Sequence, residues 1–574
     1  MITLLEQFDT IFDTPESVQK LQEFILDMAV KGKLVPQNSS NEPASALLER
    51  VKVEREKLIK EKRIRKGNEF PKITEEEKPY ILPKGWKWVR LGELGNIFNG
   101  NSINAKIKEA RYSKVTQGYG FIATKDIDSQ TREIKYENGV KIPFHEEKFK
   151  VAHEGSVLIC AEGGSAGKKI GILDRDVCFG NKLFAIQTYA EMNSEYIYFL
   201  YQSPLFYRSF CSRMTGIIGG ISIGKFKEIP VPVPPVLEQK HIVEKIYQLM
   251  SFCRKLKEQL EKKQRREDRL NISAFLLLEQ SETEKELKEN FQFVLSHLHS
   301  LCTDTKHVQK LRNAILSLAV KGKLVPQDDN DEPASIFLEK VKQEKEELIK
   351  QKKIKKEKPF PQITDEEKPF NLPNRWEWGR LGEICNVITD GDHQPPPQTT
   401  DGINFLVISN VSKGTLSFEN TRFVPKEYYD RLSELRKPKK GDILFTVTGS
   451  YGIPIIVDTD REFCFQRHIA LLKPSLNIMM KYLYWVLTSD LVKKQCDEGA
   501  TGTAQKTVSL TTLRNLKFPI PPLNEQKRIV EKLNQLMSLC NELEKNIEQS
   551  KQESERLMKA VLQEAFTVKE EVLN

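Results

Sequence analysis

AVKGKLVPQ (29–37) is spelled again, letter for letter, at 319–327. The match widens on both sides. Residues 18–60 and 308–350 agree at 28 of 43 positions without a gap, and the same register reaches WKWVRLGE (86–93) and WEWGRLGE (376–383). A second repeated text lies further on, PVPPVLEQKHIVEKIYQLMSFC from 232 and PIPPLNEQKRIVEKLNQLMSLC from 519. The first offset is 290 and the second 287, so the stretches in between differ by three residues net. The chain contains a duplicated unit. Each half reads as helices, a variable region, then another helix.

The repeated parts carry helical spacing. In 308–320, Leu311, Ile315, Leu318 and Ala319 fall on one face. Gly322 offers a left-handed cap and Pro326 forbids continuation. Glu332-Pro333 restarts a helix with proline in its first turn, and the run KVKQEKEELIKQKKIKK reads as a solvated face. After the second repeated text begins, Ile242, Ile246, Leu249, Cys253, Leu256 and Leu260 step by four and three. Ile529, Leu533, Leu536, Cys540, Leu543 and Ile547 do the same. That spacing is a coiled-coil seam and predicts rods over 238–265 and 525–550, each about 25 residues and ~37 Å long. An internal core helix shows the same spacing; its repetition favours a spacer or docking rod.

The variable stretches, 94–228 and 384–515, are short apolar runs broken by Gly, Asn, Asp and Thr, a mostly β signature. They share a faint skeleton. GSVLICAEGGSAGKKIGILDRDVCFGNKLFAI (155–186) can be laid on GDILFTVTGSYGIPIIVDTDREFCFQRHIALL (441–472), with Cys178-Phe179 on Cys464-Phe465. The loops do not agree: EGGSAGKK (162–169) faces TGSYG (448–452), and Gly180-Asn181-Lys182 faces Gln466-Arg467-His468. One scaffold reading two targets would look like this, and so would surface loops drifting after duplication. Asn, Gln, Arg and Lys are the side chains that reach base edges. The candidate contacts are Ser165, Lys168, Lys169, Asn181 and Lys182 in the first region and Thr448, Ser450, Tyr451, Gln466, Arg467 and His468 in the second. Late in each region lies another loop, Gly216–Gly220 and Thr501–Lys506. Backbone amides there can approach phosphate, with Lys225, Gln505 and Lys506 nearby.

Length and composition fit this plan. The 574 residues suffice for two to four domains. A net charge of +9, from 89 basic and 80 acidic residues, permits a nucleic-acid partner without demanding one. Nine scattered cysteines form no CxxC pair, which fits free thiols in a reducing cytoplasm. The first residues show no secretory pattern, and the longest apolar runs are too short to span a bilayer.

A catalytic motif is not legible. GGSAGKK (163–169) fails as a phosphate loop, because three residues separate Gly163 from Gly167 and Lys169 stands where Ser or Thr would bind magnesium. No GxGxxG, HExxH or Asn-Pro-Pro-aromatic motif occurs, and His145, His153, His393 and His468 are isolated. No catalytic residue and no metal ligand is assigned.

The sequence resembles the specificity subunits of type I restriction-modification enzymes. The resemblance rests on ILxxAVKGKLVPQ, LPxxWxWxRLGE, the GSVL/GDIL strand and PxPPxxEQKxIVEKxxQLM, each occurring twice in the family's order and together spanning nearly the whole chain. The charged stretch 262–306 between the halves is long and irregular. The resemblance implies an α+β chain in which two mostly β target recognition domains are separated by long antiparallel coiled-coil helices with an internal pseudo-two-fold repeat. On that plan, 1–84 is a helical region, 85–235 the first recognition domain, 236–374 a central helical spacer, 375–522 the second recognition domain and 523–574 a C-terminal coiled-coil helix. The spacer and docking contacts would be Ile242, Ile246, Leu249, Leu256, Leu260, Ile529, Leu533, Leu536, Leu543 and Ile547.

The resemblance further implies a cytoplasmic, non-catalytic subunit that recognises a bipartite double-stranded DNA site. Two methyltransferase subunits and motor-endonuclease subunits would be its partners, with no membrane involved. S-adenosylmethionine, ATP and magnesium would belong to those partners and none to this chain. Two other classes stay open on the residues alone. One is a stand-alone nuclease or modification enzyme. The other is a coiled-coil scaffold whose β domains bind RNA or protein.

Overall fold

The computed structural model describes residues 8–567 except Ser39, Asn68, Ile217, Ile218, His393, Pro395 and Ala504, with side chains described as far as Val561. The chain divides into two compact units. One runs up to Lys263 and takes in the residues from Glu555 onward; the other is Gln264–Ser554.

In the first unit the helix Pro15–Val30 starts on a Thr14/Ser17 capping box and buries Val18, Leu21, Ile25 and Leu26. Gly32 follows at φ +68°, the left-handed turn that ends it. Ala44–Lys60 is the charged helix; it buries only Ala44, Leu47 and Val51, one position per turn, and leaves its Lys and Glu in water. The second unit repeats this with Thr305–Val320, Gly322 at φ +69°, and Ala334–Lys350 burying Ala334, Phe337 and Val341. Pro333 is the N-cap of that last helix and not a residue of its first turn. Its missing N–H is harmless in either place.

The variable regions are mixed rather than mostly β. Each holds a four-stranded antiparallel sheet of the same order. In the first unit it is Gly95–Asn99, Leu183–Thr188, Val157–Cys160, Ile170–Ile172. In the second it is Cys385–Asp390, Ile469–Pro474, Ile443–Thr446, Pro454–Ile456. A smaller sheet lies beside each, built on Tyr119–Ile122 with Val177–Phe179 and on Ile403–Leu406 with Phe463–Phe465. Val157–Cys160 and Ile443–Thr446 are buried along their whole length, which is why they read as continuous apolar runs. The helices Ser194–Gln202, Pro204–Cys211 and Met480–Thr488, Asp490–Gly499 complete these cores. Of their aromatic residues, Tyr196, Tyr201, Phe206, Phe210 and Tyr482 are fully buried. The Tyr196 hydroxyl donates to the Pro232 carbonyl at 2.9 Å and Tyr482 to Pro519 at 2.8 Å, so these two buried phenols are satisfied, while the Tyr201 hydroxyl is buried without a hydrogen-bond partner among the described residues.

The long helices exceed the predicted rods. Val236–Gln280 and Leu523–Thr567 are 45 residues each, about 67 Å of helix. Neither contains Gly or Pro. Past Leu260 the apolar seam lapses into EKKQRREDR, a charged run rich in strong helix formers in which Asp268 meets the His307 imidazole at 2.7 Å. Apolar residues then resume and are buried: Ala274, Phe275 and Leu278 in one helix, Met558 and Val561 in the other. Each helix starts in one unit and ends in the other. In the first unit Cys253, Leu249, Leu256 and Leu260 share a cluster with Val18, Leu21, Ile25, Met558 and Val561. In the second, Ile529, Leu533, Leu536, Cys540 and Leu543 join Leu311, Ile315 and Leu318 with Ala274, Phe275 and Leu278. Ile242 and Ile246 pack into the variable-region core of the first unit, and Ile547 flanks the second unit's core.

No helix among the described residues is long and apolar enough to cross a membrane. All nine cysteines are free, and all but Cys211 are buried.

Candidate nucleic-acid interface

Three loops meet at one end of each large sheet. In the first unit the Ala161 N–H donates to the Lys182 carbonyl at 2.8 Å, Ile221 N–H to Ala161 at 3.0 Å, and Gly163 N–H to Gly219 at 2.8 Å. The second unit makes the same three bonds 286 or 287 positions later. Val447 donates to His468 at 3.0 Å, Val508 to Val447 at 2.8 Å, and Gly449 to Lys506 at 3.1 Å. The loops 161–169, 180–182 and 215–221, and likewise 447–452, 466–468 and 500–508, therefore form a single rim in each unit. Sequence reading chose these same loops without being able to bring them together.

The candidate side chains then separate by what they do. Lys168, Asn181, Lys182 and Lys225 are exposed on the first rim, as are Ser450, Arg467, Gln505 and Lys506 on the second. Lys169 is drawn in; its ammonium donates to the Thr124 carbonyl at 2.9 Å. Thr448 is buried and accepts from the Thr507 hydroxyl at 3.3 Å. Tyr451 donates to Asp497 at 2.7 Å, a bond that pushes its phenol pKa up. Burial and the neighbouring Arg467 push the His468 pKa down. Ser165 and Gln466 are half-buried, the Ser165 carbonyl accepting from Lys168 N–H at 3.0 Å. Ile217, Ile218, Ala504 and His393 lie outside the described residues.

One pair of positions escaped the sequence reading. Asn101 bridges to Gly180, and Asp392 to Gln466, each tying a strand end to the central turn of its rim. The Asn101 amide donates to the Lys148 carbonyl at 3.0 Å and its oxygen accepts from Lys150 N–H at 2.9 Å. Asp392 accepts from the Tyr428 hydroxyl at 2.5 Å and is paired with Arg436. The available signal was the glycine before each. A Cβ at Gly100 would lie 2.0 Å from the Phe179 oxygen, and at Gly391 2.0 Å from that of Phe465, so no other residue fits.

The variable regions are tied to the repeated text. Glu238, buried in the first turn of its long helix, accepts from the Trp86 indole at 3.0 Å and the Gln37 amide at 2.5 Å. Glu525 accepts from Trp376 at 2.9 Å and Gln327 at 2.7 Å. Burial pushes both carboxyls up, against the pull of those donors. The next residues, Gln239 and Gln526, accept from Asn193 and Met479 N–H at 3.0 and 3.1 Å. Asn193 and Met479 are the N-caps of the variable-region helices. Among the described residues no group of three or more His, Cys, Asp or Glu could hold a metal ion.

Comparison with known proteins matches each half of the duplication in turn. The profile of the type I restriction modification DNA specificity domain fits residues 83–263 and again 373–550. The chain belongs to that family. It is similar to the EcoAI specificity subunit of Escherichia coli, 33% identical over 561 residues, covering 96% of this chain and 94% of that one. It is also similar to the EcoEI specificity subunit of the same organism, at 31% over 575 residues with the same coverage. A chain from a solved type I R-M system aligns at 20% identity with a TM-score of 0.49, covering 85% of this chain and 99% of that one. Membership makes this a DNA specificity subunit, a recognition chain rather than the enzyme of its system.

Proposed function

We propose that each rim reads one half of a bipartite, asymmetric DNA site. The observation that carries this is the set of three equivalent backbone hydrogen bonds that close both rims while the exposed side chains differ: Lys168, Asn181 and Lys182 on one, Arg467, Gln505 and Lys506 on the other. Side chains of these types can bond base edges, while the rim amides and Lys225 can take phosphates. On this reading the five regions keep the bounds 1–84, 85–235, 236–374, 375–522 and 523–574, with the two recognition domains mixed rather than mostly β.

The long helices run antiparallel as a coiled-coil spacer, and a pseudo-two-fold axis relates the halves. That each helix begins in one unit and ends in the other supports this. Two methyltransferase subunits dock on the repeated helices. They bring S-adenosylmethionine, and motor-endonuclease subunits bring ATP and magnesium; this chain binds none of these. The complex works in the cytoplasm.

A chain carrying residues 384–515 in both positions tests the reading. With its methyltransferase partner it should modify a site built from two inverted copies of the second half-site. Retention of the original asymmetric site would refute the assignment.

A further inference from the structure

The last letter of AVKGKLVPQ, the first tryptophan of WxWxRLGE and the glutamate of PPxxEQK converge on one point in each unit. Gln37 and Trp86 both donate to Glu238, and Gln327 and Trp376 both donate to Glu525. The carboxylates are 3% and 1% exposed. Each glutamine amide also donates to a glycine carbonyl of the preceding turn, Gly32 at 3.0 Å and Gly322 at 3.1 Å. Three pieces of chain thus meet on a single acceptor. They are the turn after the first helix, the residue that leads into the strand Lys87–Arg90 or Glu377–Arg380, and the start of the long helix.

We infer that Glu238 and Glu525 are positioning residues that set the angle of each recognition domain on its long helix, and through it the gap between the two half-sites. The inference rests on the bipartite reading above. A carboxylate suits the task because it only accepts; it can take an indole and an amide at once from different directions. A glutamine in its place must turn an N–H toward one of those donors. The lever is long. A recognition domain of this size is roughly 35 Å across, so a tilt of about 6° moves its far edge by ~3.5 Å. That is about the rise of one base pair.

The test uses the assembled methyltransferase complex with Glu238→Gln or Glu525→Gln. Duplexes carry the native half-sites with the native gap, or one or two base pairs more or fewer. The wild-type complex should methylate the native gap at least ~100-fold faster than the others. Each variant should hold the native-gap rate within about threefold and raise the one-base-pair-off rates about tenfold, with base discrimination inside each half-site unchanged. An equal fall at every gap, or an unaltered gap preference in a folded complex, overturns the inference. Where a glutamine variant fails to assemble, Trp376→Phe decides on the same panel; it keeps the ring and removes only the N–H. A wild-type complex indifferent to both half-sites overturns the functional reading, and this inference falls with it.

Discussion

Arg467 stands in the turn between the strands Phe463–Phe465 and Ile469–Pro474, exposed at the rim. Lys182 lies in the corresponding turn after Val177–Phe179, at the place of His468, one residue past the match to Arg467. Arg467→Ala should cost about 1–3 kcal/mol of binding to the second half-site alone, and Lys182→Ala the same to the first. Binding measured on duplexes mutated in one half at a time checks this; an equal loss on all DNA would make the contact a phosphate contact. A different residue governs acid stability. Hydrogen bonds from the buried Arg90 guanidinium, at 2.7 Å, hold the Glu77 carboxyl down to about 2. A depressed carboxyl stabilises the fold above its unfolded value of ~4.3. That contribution is lost as pH falls from there through about 2. Thermal melts between pH 5 and 3 should drop, and Glu77→Gln should flatten part of the drop while lowering stability at neutral pH by about 2 kcal/mol.

At the scale of elements, the repeated turn is the most demanding piece. Gly322 has φ +69°, and a Cβ there would lie 2.5 Å from Pro373 Cγ. Gly322→Ala should therefore cost about 2 kcal/mol, seen as a lowered denaturation midpoint. That turn was legible in the sequence because glycine and proline act locally. So were three strands of each large sheet, those that start within 155–186 and 441–472, since apolar runs between turn residues mark buried strands. The far halves of the long helices were not legible. EKKQRREDR has no apolar seam, and hydrophobic periodicity is silent where a helix carries only charged and polar residues. The helices inside the variable regions were missed because their aromatics, Tyr196, Phe199, Tyr201 and Phe206, bury on several sides and blur any period. At the rim, sequence could name Arg467 and Lys182, but not that Lys169 and Thr448 turn inward. Their partners, Thr124 and Thr507, lie 45 and 59 residues away.

At the scale of the whole molecule, the claim is that identical text holds and different text reads. A net charge of +9 on 574 residues is small, so binding must lean on placed contacts more than on bulk attraction. If the long helices form the spacer, inserting seven residues into each adds about 10 Å of helix, roughly three base pairs of rise. The methylated motif should keep its half-sites and widen its gap; an unchanged gap would refute the ruler. The most direct measurement is a methylation map: this chain co-expressed with its methyltransferase partner in a methylation-free host, and modified adenines read by single-molecule sequencing. The account predicts a two-part motif with one fixed gap, lost when this chain is omitted. A stable complex that leaves the genome unmodified, or modifies it at a continuous or unspecific sequence, would contradict it.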